Sequence, residues 1–250
     1  MPSPDFRKMT AFFGGTFDPP HLGHREAILG LFKAPGVGAV RILPNALPRW
    51  KTPGASIDHR LQMCELAFGD LVRTEAVSID RLETDLPPDQ VPRSTNESLD
   101  RILPQFPEAA FVIGTDQLAQ LDQWVAFPNV LRRCHWIVLK RQTTDGQDTA
   151  DTVARGALGA FASRGLLGSE TTTSTGPAWP VTPSNDSSDS ARFPRWLTLV
   201  PTAARATASE GIRAAIARTG RPPENSLNPQ VAAYLTRCGL YGSSKGLTDA

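Results

Sequence analysis

Two histidines three positions apart follow a pair of glycines in the stretch Phe13-Gly14-Gly15-Thr16-Phe17-Asp18-Pro19-Pro20-His21-Leu22-Gly23-His24. Adjacent glycines let the backbone turn sharply and bring main-chain N–H groups against a ligand. A helix starting just beyond them adds unpaired N–H groups and a partial positive charge, which suits phosphate. At this spacing the two imidazoles face one point, where they can donate hydrogen bonds to phosphoryl oxygens as charge builds up. The chemistry is the handling of phosphates. Two competing readings are a purely structural turn and half of a zinc site. The chain has only two further histidines, His59 and His135, and no C-x-x-C pair. The stretch is neither G-x-x-x-x-G-K-[ST] nor G-x-G-x-x-G, so it is not a P-loop or a dinucleotide fingerprint.

The elements around it must hold this turn in place. Thr10 to Phe13 reads as a buried strand, and Arg25 to Phe32 as a helix with Ala27, Ile28, Leu31 and Phe32 on one side. Strand, glycine turn and helix form the first step of a parallel α/β sheet, where ligands bind at strand ends. Further strands are expected at 39–44, 77–80, 109–113, 136–139 and 196–200. Helices are expected at 57–68, capped by Ser56, at 95–103, around 152–167, and within 210–216 and 231–235. This alternation predicts a doubly wound parallel sheet of the α/β class in one domain over 1–250. Composition turns polar over 142–195, read as a partly flexible insertion with a mobile loop at 169–190, and 201–242 reads as a helical C-terminal part.

Bulk properties narrow the partners. Lys plus Arg is 26 against 25 for Asp plus Glu, so no global field favours nucleic acid or an anionic membrane. Cys64, Cys134 and Cys238 are odd in number and widely spread, which points to reduced thiols and a cytoplasmic setting. No run approaches the about 18 apolar residues of a membrane span, and Met1 to Met9 has no apolar signal core.

Gly14 to His24 resembles the GGTFDPxHxGH signature of bacterial nicotinate-nucleotide adenylyltransferases, within the nucleotidyltransferase superfamily marked by His-x-Gly-His. The resemblance implies a Rossmann-like nucleotidyltransferase fold, with His21 and His24 catalytic and Gly14, Gly15, Thr16, Phe17 and Gly23 against ATP. Ile42-Leu43-Pro44-Asn45 with Lys51 is similar to the family's IPN…PHK region, with Trp50 where His is usual. That match implies Asn45 at the nicotinate mononucleotide and Lys51 at the ATP phosphates, a suitable mobile point charge. Val91 to Leu99 resembles SYTxDTL, kept at Thr95 and Leu99, with Ser94 for Tyr, Glu97 for Asp and Ser98 for Thr. It implies Thr95 near the pyridine carboxylate.

Ile113 to Leu118 is similar to IGxDxL and implies Gly114 and Asp116 at the nucleotide, Asp116 holding ribose hydroxyls. Leu121-Asp122-Gln123-Trp124 matches LxxW, implying that Trp124 packs on the nicotinate ring, although an ordinary core aromatic fits the position as well. Thr207 to Arg213 resembles ISxTxIR, implying Ser209, Ile212 and Arg213 at the phosphates. The segment reads as a hydroxyl-capped helix N-terminus with an arginine in its first turns. Glu210 stands where Thr is normal and is expected to point away.

The activity so implied is adenylyl transfer from ATP, with Mg2+, to nicotinate mononucleotide. No protein metal site, nucleic acid or membrane is expected, and homo-oligomerisation is left open. Asp18 is expected to order the turn rather than bind metal. The alternatives are nicotinamide mononucleotide or phosphopantetheine as acceptor, or a nucleotide-binding regulator without catalysis.

Overall fold

The computed structural model describes residues 5–49, 52–141, 149–184, 194–204 and 207–243. A single eight-stranded sheet carries the chain. In chain order the strands are β1 (Thr10–Gly15), β2 (Ala39–Pro44), β3 (Val77–Ile79), β4 (Ala110–Gly114), β5 (His135–Arg141), β6 (Thr171–Thr173), β7 (Gly176–Pro180) and β8 (Trp196–Thr202). Across the sheet they run β3-β2-β1-β4-β5-β8-β7-β6. The first six of that series are parallel, and β7 and β6 add an antiparallel hairpin to β8.

The chain moves from β1 to β2 and β3 on one side, then returns to β4 on the other side of β1. The strand order therefore reverses between β1 and β4, which is where such sheets open a crevice at the carboxyl ends of their strands. The sequence places its glycine turn at the end of β1, at that crevice.

Helices α1 (Leu22–Lys33), α2 (Ile57–Thr74), α6 (Ser209–Thr219) and α7 (Pro229–Arg237) share one core with Phe13, Val112 and Ile137 of the sheet. Helices α3 (Thr95–Ile102) and α5 (Thr149–Ser163), with the short turn α4 (Thr115–Leu118), belong to a second core with Phe12, Phe111, Ile113 and Trp136. Neighbours in one strand thus go to opposite cores, as Phe12 and Phe13 do. That explains why the central strands are continuously apolar rather than alternating.

The polar insertion differs from the expectation. Within 169–184 the expected loop is replaced by the β6–β7 hairpin, whose Trp179 is buried in the second core, and by a bridge between Leu167 and Val181. Pairing with β8 supplies what a Thr-rich stretch lacks in apolar surface. The remainder of the expected loop, 185–190, lies outside the described residues. Among the described residues no helix is long and apolar enough to cross a membrane, and all three cysteines are free thiols.

Candidate active site

A cleft of about 480 Å³ opens at the carboxyl ends of β1, β2 and β4, bordered by the glycine turn, the head of α1, the start of α3 and the start of α6. Gly14 and Gly15 lie under aromatic rings. A Cβ on Gly14 would sit 3.0 Å from Cζ of Phe111, and one on Gly15 would sit 3.0 Å from Cζ of Phe17. A side chain at either position would press on these rings, which would have to shift by a few tenths of an ångström. Phe17 has φ of 50°, and its ring meets His24 edge-on at 4.9 Å and Phe68 at 6.1 Å. It is fully buried. Phe17 lines the cleft, and its ring packs against His24.

The two histidines cap their own helix. His21 is the N-cap of α1 and its Nδ1 accepts the His24 backbone N–H at 3.2 Å, while His24 Nδ1 accepts the His21 N–H at 3.2 Å. The rings stack with centroids 3.6 Å apart and planes 19° from parallel. A neutral ring accepting at Nδ1 carries its proton on Nε2. Each ring is thereby locked in position with an N–H donor on its far edge, and both residues line the cleft. Such locking reduces the reorganisation needed when negative charge develops.

Asp18 is 2% exposed. Its carboxylate accepts the Gly54 N–H at 2.7 Å, the Ala55 N–H at 3.1 Å and the Tyr241 hydroxyl at 2.7 Å. Burial together with Asp18 pushes the Tyr241 hydroxyl to a higher pKa, so the tyrosine stays a donor. Arg213 of α6 donates to the Asp18 carbonyl at 2.6 Å, and Ser209 Oγ donates to the Pro19 carbonyl at 2.9 Å. These two bonds bind the start of α6 to the histidine turn and bring Arg213 and Ser209 to the cleft.

The N-cap of α6 is Ala208, which makes no side-chain cap bond, and the Ser209 hydroxyl donates to the Pro19 carbonyl. Ile212, expected at ATP, is buried in the core beside Ile216 and does not line the main cleft, since the apolar face of α6 includes it. Glu210 borders the cleft rather than lying clear of it, as the first turn of α6 faces that opening.

Thr16, Gly23, Asn45, Thr95, Gly114, Asp116 and Trp124 all line the same cleft. Asp116 is exposed, sits in the first turn of α4 and makes no hydrogen bond or ion pair among the described residues. Gly114, not Asp116, is the N-cap, so the carboxylate does not serve the helix. Trp124 meets Trp136 edge-on at 6.0 Å. Lys51 and Trp50 lie outside the described residues.

Three features escaped the sequence reading. Arg60 of α2 is 1% exposed and donates to the carbonyls of Thr16, Asn45 and Ala46, tying the glycine turn to the loop after β2. An arginine one position from Leu61 and four from Cys64, on the apolar side of α2, was its only signal. Ser94 caps α3 by accepting from Glu97 N–H, and Glu97 accepts from Ser94 Oγ at 3.0 Å and Arg93 N–H at 2.9 Å. The S-x-x-E spacing announces such a cap. Glu83 lines the cleft without any motif to mark it.

The strand order and the placement of the cleft define an α/β nucleotidyltransferase fold. The chain belongs to the Cytidylyltransferase-like family, whose profile matches residues 12–192. It is 35% identical over 140 residues to the probable nicotinate-nucleotide adenylyltransferase of Sodalis glossinidius, covering 56% of this chain and 64% of that one. Its identity to the protein of the same description in Serratia proteamaculans is 34%, over 60% and 67% of the two chains. For Pseudomonas aeruginosa the figures are 33%, 56% and 64%. The chain thus spans about two thirds, or slightly less, of these relatives' lengths. In fold it is similar to Plasmodium falciparum nicotinic acid mononucleotide adenylyltransferase complexed with NaAD, with a TM-score of 0.62 over 96% of this chain and all of the other, at 13% identity.

Proposed function

We propose that this protein transfers the adenylyl group of ATP to nicotinate mononucleotide, giving nicotinate adenine dinucleotide and pyrophosphate. The observation that carries the reading is the reciprocal cap of His21 and His24, two fixed N–H donors at the head of a helix, beside the start of α6. The names of the relatives support the choice of acceptor.

A 5′-phosphate oxygen of the acceptor attacks the α-phosphorus of ATP. The new P–O bond forms as the bond to the departing pyrophosphate breaks. The attacking phosphate is already anionic near neutral pH, so no general base is needed. Rate enhancement comes from alignment and from neutralising charge. His21 and His24 donate to the oxygens of the pentavalent centre. Arg213, aimed by Asp18, and the N–H groups at the start of α6 hold the β- and γ-phosphates. Lys51 is assigned to the same phosphates from its sequence position. Mg2+ carried by the triphosphate would supply further neutralisation of its charge beside Arg213. Asp116 accepts from ribose hydroxyls, Trp124 offers a face to the pyridine ring, and Asn45 and Thr95 border the acceptor. The three free thiols suit a cytoplasmic setting.

Isotope tracing tests the reaction. Label on the α-phosphorus of ATP is expected in the dinucleotide and label on the γ-phosphorus in pyrophosphate. Release of the α-label as free AMP, with none in a dinucleotide, would overturn the reading.

A further inference from the structure

The C-terminal turn reaches the site through one hydroxyl. Tyr241 donates to Asp18 Oδ1 at 2.7 Å, the same oxygen that accepts the Ala55 N–H. Its ring lies over Gly54, where a Cβ would sit 3.1 Å from Tyr241 Cε1 and 3.3 Å from Arg213 Cδ. Tyrosine and arginine therefore pack on the same glycine. Tyr241 itself does not line the cleft, so it acts on a substrate only through its neighbours.

The backbone is bent to bring the tyrosine there. Tyr241 has φ of 59° and ψ of 20°, in the left-handed region, between Gly239 with φ of 63° and Gly242 with φ of 80°. A bulky residue seldom adopts that conformation, and it persists only where the surroundings over-determine it. Ser243 supplies part of the hold. Its Oγ donates to the Leu235 carbonyl at 2.9 Å and its N–H to the Leu240 carbonyl at 3.0 Å, which pins the turn to α7. The bond to Asp18 supplies the rest.

Asp18 passes the constraint on to the cleft. Its Oδ2 takes the Gly54 N–H, just past Thr52 and Pro53, which line the cleft. Arg213 Nη1 lies 3.5 Å from that oxygen and donates to the Asp18 carbonyl at 2.6 Å. Nε and Nη2 of Arg213 make no hydrogen bond among the described residues, which leaves them to a phosphate.

We propose that Tyr241 is a positioning residue for the triphosphate of ATP: its hydroxyl fixes the Asp18 carboxylate and its ring confines Arg213, keeping the remaining arginine N–H groups aimed at the departing pyrophosphate. The inference rests on the adenylyl-transfer reading above. Without the hydroxyl, Asp18 Oδ1 keeps the Ala55 N–H alone, and the carboxylate is freer to turn. Arg213 follows, because its hydrogen bond and its ion pair both go to Asp18. A cation that must be ordered anew at each binding event holds its anion less well.

Tyr241→Phe removes the hydroxyl and keeps the ring. In this variant kcat/KM for ATP is expected to fall about tenfold, the weight of one hydrogen bond to a charged group. KM for nicotinate mononucleotide is expected to stay unchanged. A tyrosine that only stabilised the fold would lower the melting temperature and leave both constants of the folded enzyme as they were. The same substitution in an Arg213→Ala background tests the route. Residues that act through one network do not contribute independently, so the second loss is expected to add little to the first. Calorimetric binding of α,β-methylene ATP with Mg2+ repeats the comparison without turnover. An unchanged kcat/KM for ATP in folded Tyr241→Phe, or an equal fall in the Arg213→Ala background, would overturn the role of Tyr241 and leave adenylyl transfer standing. Absence of pyrophosphate release by the wild type with either acceptor would overturn adenylyl transfer. The Kd of the analogue then decides for Tyr241: weaker binding by Tyr241→Phe upholds its role, and equal binding removes it.

Discussion

At the scale of single residues, the histidine turn is held by bonds between its own members and its neighbours. His21 and His24 each accept the other's backbone N–H, so neither ring can rotate without losing a bond. The types and spacing of these residues were legible in sequence, because His-x-Gly-His at a helix start has few other uses. Their supports were not. The full burial of Arg60 and the bonds to the Asp18 carboxylate depend on segments that meet only after folding. Glu83 had no local signal at all, since a single acid in a polar stretch reads as surface. Replacing His24 tests the donor role. His24→Ala is expected to lower kcat by about 10²–10³-fold, the usual loss for one donor to a developing oxyanion. The lost cap costs about 1 kcal/mol of stability, which a denaturant titration of the same variant checks. Turnover within a few-fold of wild type would remove His24 from the reaction.

At the scale of elements, the parallel strands and their helices followed from hydrophobic pattern, and the hairpin did not. Thr171–Thr173 has no apolar residue, and Gly176–Pro180 is anchored by Trp179 and by pairing with β8. Periodicity has little to register in strands so short. The Ser94–Glu97 cap shows another limit. The same residues read as a divergent ligand motif and as a helix start, and hydrogen bonding assigns Glu97 to the cap. Strand β5 carries a pH liability. His135 opens that strand, 3% exposed, with Nδ1 lacking a partner, and burial, then the charge of Arg195, lowers its pKa to about 3. Its folded value lies below its unfolded value of 6.5. Between them the unfolded chain binds a proton that the folded chain does not, so stability present above that unfolded value drains away as pH falls. The loss is up to about 1.4 kcal/mol per pH unit. Denaturant midpoints measured at about pH 7.5 and about pH 5 should separate more for wild type than for His135→Leu. Equal separations would contradict the assignment.

At the scale of the molecule, the site is assembled from both ends of the chain. Arg213, Ser209 and Tyr241 reach back to Asp18 and Pro19, across about 190–220 positions of sequence. The histidine turn therefore depends on the C-terminal helices for its shape, and one sheet, reversing between β1 and β4, provides the crevice that both ends enclose. The most direct measurement of the central claim is pyrophosphate release from ATP and Mg2+, with nicotinate mononucleotide and nicotinamide mononucleotide offered in parallel near neutral pH. Release with the nicotinate acceptor in clear excess over the amide is the predicted result. Release with neither, by a folded protein that binds ATP, would contradict catalysis by this cleft.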